Sequence, residues 1–116
     1  MVQVSVIIPT FNRCATLPRS INSVLRQTMS DLEIIVVDDG SRDNTETWIH
    51  SIKDPRVRYY KLSENRGPAR ARNVGISCSR GELLAFLDSD DEWMEDKLAK
   101  QVRALKVQKT DACAAS

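Results

Sequence analysis

Histidine occurs once in these 116 residues, at His50, and cysteine three times, at Cys14, Cys78 and Cys113, with no C-x-x-C pair. That scarcity argues against a zinc site. An odd number of widely spaced cysteines argues for reduced thiols and a cytosolic setting. No apolar run approaches the roughly 20 residues that cross a bilayer. The opening MVQVSVIIPTFNR has no basic n-region and is broken by Pro9, so it does not read as a signal peptide. Excess charge is missing too: the formal net charge is +1, which gives no general attraction to nucleic acid or to an anionic membrane. Any affinity for anions must be local. The common phosphate-binding loops are also absent, with neither G-x-x-x-x-G-K-[ST] nor a G-x-G-x-x-G after the first apolar run.

What remains is an ordinary soluble composition, 41% apolar and 28% charged, in a chain long enough for one domain. Val4 to Ile8 is a β-branched run that Pro9 should stop, leaving Phe11, Asn12 and Arg13 in a loop. A helix should follow, capped by Thr16, with Pro18 in its first turn and Leu17, Ile21, Val24 and Leu25 on one face. Leu32 to Val37 reads as a central parallel strand ended by Asp38 and Asp39. Asp43 and Glu46 have the spacing of a capping box for a helix with Trp48, Ile49 and Ile52 on its apolar side and His50 in solvent, closed by Asp54-Pro55. Val57 to Leu62 alternates more and suits a strand nearer an edge. Pro68 opens a helix that ends by Gly81, and Leu83 to Leu87 reads as a fourth strand buried on both faces. A last helix spans about Lys97 to Gln108 with Leu98, Val102 and Leu105 at helical spacing, and Asp111 to Ser116 begins another strand. Alternation of this kind predicts an α/β Rossmann-like fold, a mostly parallel sheet with helices on both faces.

Each polar cluster follows a strand, and in an open parallel sheet those loops gather along the carboxyl edge, where ligands bind. Phe11 offers a face for stacking a base. The Asp39 carboxylate can accept a hydrogen bond from a ring N–H, as in uracil or guanine. Arg70 and Arg72 near a helix start, beside Gly67, suit a pyrophosphate. Asp88, Ser89, Asp90, Asp91 and Glu92 place four carboxylates in five residues, where a hard divalent cation is the natural complement and plain solvation is the alternative. For Asp38 the favoured role is ordering its own loop and for Trp93 packing beneath the acidic loop, while Asp91 and Glu92 have leading into the helix as an alternative to cation binding. Haloacid-dehalogenase phosphatases and phosphoacceptor receiver domains carry their acidic residues after the first strand, so both fail on order.

The stretches VSVIIPTFNR, EIIVVDDGSRDNT, ENRGPARARNVGI and GELLAFLDSDDEW resemble the successive motifs of family 2 nucleotide-sugar glycosyltransferases with the GT-A fold, over about residues 3 to 107. The resemblance implies that residues 1–116 are the donor-binding part of such an enzyme. Pro9, Thr10 and Phe11 would wrap base and ribose, Asp39 would contact the base, and Asp38 would support that loop. Asn65 and Gly67 would lie by the donor, with Arg72 rather than Arg70 facing the diphosphate. Asp88-Ser89-Asp90 matches the D-x-D motif, with Asp90 the main ligand of Mn²⁺ or Mg²⁺ and Asp88 nearer the ribose or the metal's waters. The implied partners are a nucleotide-diphosphate sugar, with UDP-sugar favoured, and an unknown acceptor (a sugar, a lipid-linked sugar or a protein) receiving the sugar with inversion. No nucleic acid is implied. The general base is expected beyond Ser116, so these residues should bind donor and transfer little sugar alone. The implied setting is the cytoplasm, with the parent enzyme at the inner face of the membrane. An unpaired sheet edge would invite self-association. A non-catalytic binding module and a nucleotidyltransferase on a related fold are the alternatives.

Overall fold

β1 (Val4–Thr10) and β2 (Leu32–Asp38) are buried at every position, as largely apolar strands are at the centre of a layered sheet. The computed structural model describes the backbone of residues 2–108 and 114–115 and the side chains of residues 2–104. Around this centre stand α1 (Leu17–Leu25), α2 (Thr45–His50), β3 (Val57–Lys61), α3 (Pro68–Cys78), β4 (Leu83–Phe86), α4 (Lys97–Gln108) and β5 (Ala114–Ala115). Neighbouring strands pair in parallel in the order β3-β2-β1-β4-β5. The chain steps outward from β1 to β3, then crosses back to the far side of β1. The reversal between β1 and β4 is the switch point at which such sheets bind ligands. No helix among the described residues is long and apolar enough to cross a membrane.

Period-two alternation sorts the core into two layers. Val4, Val6 and Ile8 of β1 with Leu32, Ile34 and Val36 of β2 pack against Leu17, Ile21 and Val24 of α1, Ile49 of α2 and Leu98 and Val102 of α4. The opposite face carries Ile35 and Val37 beneath Ala71 and Val74 of α3. α3 lies across β1 and β2. Its approach is close at Gly75, where a Cβ would sit 2.5 Å from Ile7 Cγ2.

That placement corrects one expectation. β4 is not buried on both faces: only Ala85 is fully buried within it, and Leu87 just after it. Leu84 and Phe86 pair with Ser5 and Ile7 and so share the α3 side, but α3 covers β1 and β2 and leaves them half-covered. A second difference concerns Pro9, which does not stop β1. Pro9 faces the same way as Ile7, toward β4, and the ladder on that side ends where the Leu87 amide donates to the Ile7 carbonyl. Its missing N–H therefore goes unneeded.

Two capping expectations also change. Thr16 stands at the N-cap of α1 without capping it; its hydroxyl donates instead to the Ser89 carbonyl at 2.9 Å. α2 begins at Thr45, and Asp43 Oδ1 accepts both the Thr45 amide and hydroxyl, at 3.0 and 2.5 Å. Glu46 does not reach back to complete a box; it pairs with Lys61 at 2.9 Å, the stronger partner in charge and distance. His50 is exposed, as expected. Of the last expected strand, Ala114–Ala115 pairs with β4, while positions 111–113 and 116, Cys113 among them, lie outside the described residues, as does the side chain of Leu105.

One buried ion cluster ties the sheet together at the amino end of β2. Glu33, 2% exposed, accepts from Ser5 Oγ at 2.6 Å, from the Arg80 amide at 2.7 Å and from Arg58 at 2.7 Å. Burial pushes its carboxyl up, but these hydrogen bonds and the Arg58 charge outweigh it and bring the pKa down to about 2.

Candidate donor and metal site

The loops after β1, β2, β3 and β4 meet at the carboxyl edge, and backbone hydrogen bonds between them fix the frame. The Asp39 amide donates to the Thr10 carbonyl at 2.8 Å and the Leu62 amide to the Asp38 carbonyl at 2.7 Å. Asn12 turns the first loop with a left-handed φ of 52°, a conformation asparagine tolerates better than most residues. Its side-chain oxygen accepts the Arg42 amide and its own amide donates to Ser41 Oγ, both at 2.8 Å.

Asp38 and Asp39 are neighbours with opposite tasks. Asp38 is fully buried; it accepts the Ser41 amide at 2.8 Å and the Tyr59 hydroxyl at 2.5 Å. Both its oxygens serve the loop. Burial and the Asp38 carboxylate hold the Tyr59 hydroxyl well above its ordinary range. Asp39 reaches across to the next loop, accepting the Arg66 amide at 3.0 Å and the Gly67 amide at 2.8 Å. Gly67 has a φ of 100°, open to glycine and strained for other residues, and this turns its N–H onto Asp39. Each Asp39 oxygen keeps a lone pair for a further donor.

A cavity of about 250 Å³ opens between these loops. It brings together Pro9, Thr10, Phe11, Asp39, Asn65, Gly67 and Ser89 from the sequence reading. Arg13, Pro68 and Ala71 complete its wall without having been expected there. Thr10 Oγ1 is buried and has no hydrogen-bond partner. A buried hydroxyl left unpaired costs on the order of 1–3 kcal/mol, so a ligand acceptor or donor in this cavity would relieve it. Phe11 is 38% exposed at the cavity, as a stacking face must be.

Arg72 and Asp88 do not line that cavity; they line a second one, of about 400 Å³, with Asp91, Glu92, Trp93 and Lys97. Arg70 spends its guanidinium on the Glu64 carbonyl at 3.3 Å. Trp93 is buried in the core beneath the acidic loop, and Lys97 Nζ lies 4.9 Å from its ring centroid.

Asp88, Asp90 and Asp91 are exposed, and a carboxylate oxygen from each lies within 4.8 Å of the others. Three like charges so gathered repel strongly without a counter-charge. An all-oxygen carboxylate set fits a hard divalent cation such as Mg²⁺ or Mn²⁺. Asp91 was counted among the clustered carboxylates but was not named as a metal ligand, because the D-x-D spacing pointed to Asp88 and Asp90. Arg13 gave no signal beyond its place in the same loop as Phe11.

The family model for glycosyl transferase family 2 matches residues 5–116. The chain belongs to that family. Its α/β, Rossmann-like GT-A fold agrees with solved members. S. aureus TarS in complex with UDP is 28% identical with a TM-score of 0.88, covering 93% of this chain and 33% of TarS. The mannosyltransferase PcManGT from Pyrobaculum calidifontis, in complex with GDP-Man and Mn²⁺, is 30% identical with a TM-score of 0.81, covering 89% of this chain and 32% of PcManGT. WfaP of Escherichia coli, a UDP-Glc:alpha-D-GlcNAc-diphosphoundecaprenol beta-1,3-glucosyltransferase, is 39% identical over 106 residues, 91% of this chain and 42% of WfaP. This chain spans between 15% and 42% of the length of such curated relatives.

Proposed function

We propose that residues 1–116 form the donor-binding part of an inverting glycosyltransferase that takes a UDP-sugar with Mn²⁺ or Mg²⁺. The observation that carries this reading is the cavity at the switch point. Its wall holds the stacking face of Phe11, the Asp39 acceptor and the unpaired Thr10 hydroxyl, and its rim is the acidic loop. Base and ribose occupy that cavity. The UDP-bound and the GDP-Man- and Mn²⁺-bound relatives support the same ligand class.

Asp39 discriminates bases by accepting a ring N–H, which uracil offers and unprotonated cytosine does not. Pro9 and Phe11 exclude water from the base; Asn65 and Gly67 line the ribose side, and Asp38 keeps the loop in shape. Asp90 is the main cation ligand, with Asp88 nearer the ribose or the metal's waters. A divalent cation bound there neutralises charge on the departing diphosphate. Arg72, which lines the same cavity as Asp88, adds a positive charge to that end. The acceptor is a hydroxyl of a sugar, lipid-linked sugar or protein, and the general base that deprotonates it lies beyond residue 116, in keeping with the greater length of the relatives.

Calorimetric titration of UDP, GDP, CDP and dTDP, each with and without Mn²⁺, tests the reading. UDP is expected to bind best and to depend on metal, and Asp90→Ala is expected to lose the metal-dependent part. An Asp90→Ala chain that binds UDP and Mn²⁺ as the parent does would overturn the metal assignment. Product formation by the 116 residues alone would overturn the placement of the base.

A further inference from the structure

α1 has a second face that its apolar stripe conceals. Thr16, Ser20, Ser23 and Gln27 recur at steps of four, three and four, one line along a helix and the turn that follows it. These polar side chains do not face solvent: Ser20, Ser23 and Gln27 are 0%, 1% and 6% exposed. Each is spent on the backbone of the acidic loop or of the turn that follows it. Thr16 Oγ1 donates to the Ser89 carbonyl at 2.9 Å. The Ser20 hydroxyl is shared between the Asp91 carbonyl and, at 3.4 Å, the Asp88 carbonyl. Ser23 Oγ accepts the Trp93 amide at 3.1 Å. Gln27 Nε2 donates to the Met94 carbonyl at 2.6 Å, and its Oε1 accepts the Leu98 amide at 3.0 Å.

Residues 87–96 contain no helix or strand, so their backbone groups need partners from outside. The polar line supplies them at 88, 89, 91, 93 and 94, and also takes the amide of Leu98 in the first turn of α4. We infer that this polar stripe positions the three carboxylates, holding them at metal-binding separation before a cation arrives. The inference rests on the reading of Asp88 and Asp90 as cation ligands. Left to itself, a loop carrying three neighbouring carboxylates would relax to spread them. Fixing its backbone on a buried helix places the cost of that repulsion in folding, and binding then needs no reordering of the loop. Thr16, Ser20, Ser23 and Gln27 are positioning residues; none of them lies among the carboxylates that would touch the cation.

The test uses Ser20→Ala combined with Gln27→Met, which removes the hydrogen bonds of Ser20 and Gln27 while keeping most of the packing volume. Thr16→Val, at a half-buried position, is the second variant and carries the test if the double variant does not fold. Free Mn²⁺ is read by electron paramagnetic resonance during titration of each folded chain with UDP present. UDP affinity in EDTA is read by calorimetry. The double variant is expected to bind Mn²⁺ about tenfold more weakly, as loss of groups that orient ligands does elsewhere. Thr16→Val is expected to lose about threefold, the scale of one hydrogen bond. UDP affinity in EDTA should stay at the parent value in the double variant, because the groups that Ser20 and Gln27 hold lie outside the first cavity. A purely structural role would lower stability and leave Mn²⁺ affinity unchanged; folded variants that bind Mn²⁺ like the parent, while Asp90→Ala does not, overturn the inference alone. A parent chain that fails to bind Mn²⁺ overturns the cation reading and the inference with it.

Discussion

Adjacent carboxylates at the end of β2 illustrate how little a residue type says about its task. Asp38 and Asp39 alternate in direction, one into the sheet and one across to the β3–α3 loop. Asp38→Ala leaves the buried Ser41 amide and the Tyr59 hydroxyl without their acceptor. It is expected to cost about 2 kcal/mol in urea denaturation. A loss below about 0.5 kcal/mol would mean that Asp38 does not order its loop. Glu33 makes a pH-dependent prediction. Its folded pKa, about 2, lies below the ordinary 4.5, so its stabilisation is fully present above pH 4.5 and is lost as pH falls from there toward 2. For a side chain 2% exposed the contribution is on the order of 3 kcal/mol. Glu33→Gln should be less stable at neutral pH, and the gap to the parent should close between pH 5 and 2 in denaturation series. A constant gap across that range would contradict the assignment.

At the scale of elements, packing distances set what each can tolerate. α3 rests on β1 at Gly75, and the Ile7 side chain beneath it is β-branched and stiff. Gly75→Ala is expected to push α3 off the sheet and cost about 1–3 kcal/mol, measured by thermal or urea unfolding. A neutral Gly75→Ala would show that α3 has slack. Strands β1 and β2 were legible because burial on both faces leaves a nearly continuous apolar run, broken only by Ser5 in the one and Glu33 in the other before the polar ends Thr10 and Asp38. β4 carried the same signal and misled, since coverage by α3 depends on where a crossover lands, which local pattern does not encode. Capping by Thr16 and Glu46 failed for a related reason: their side chains found stronger partners distant in sequence, the Ser89 carbonyl and Lys61. The cavity residues were legible as a group because strand order alone brings their loops to one edge. Arg13 and the polar line on α1 were not: an arginine at a cavity wall looks in sequence like one in solvent, and a hydroxyl aimed at another loop like one aimed at water.

For the whole molecule, topology predicts an uneven distribution of stability. β1 and β2 sit at the centre between two packed layers, whereas β4 is half-covered on one side and β3 lies at the edge. Native-state hydrogen exchange should find the amides of β1 and β2 opening only with global unfolding and those of β4 at lower cost. Equal protection in β4 and β1 would contradict this. Donor binding should raise protection in the loops after β2 and β3 together, since Asp39 fastens one to the other. The two-faced character of α1 also bears on reuse. Leu17, Ile21 and Val24 fit the sheet while Ser20, Ser23 and Gln27 fit the acidic loop, so the helix reads two templates at once. A designer grafting the acidic loop onto another α/β scaffold would have to transplant α1 with it. Any amphipathic helix could restore the core, but only one bearing that polar line would deliver the loop in its working shape.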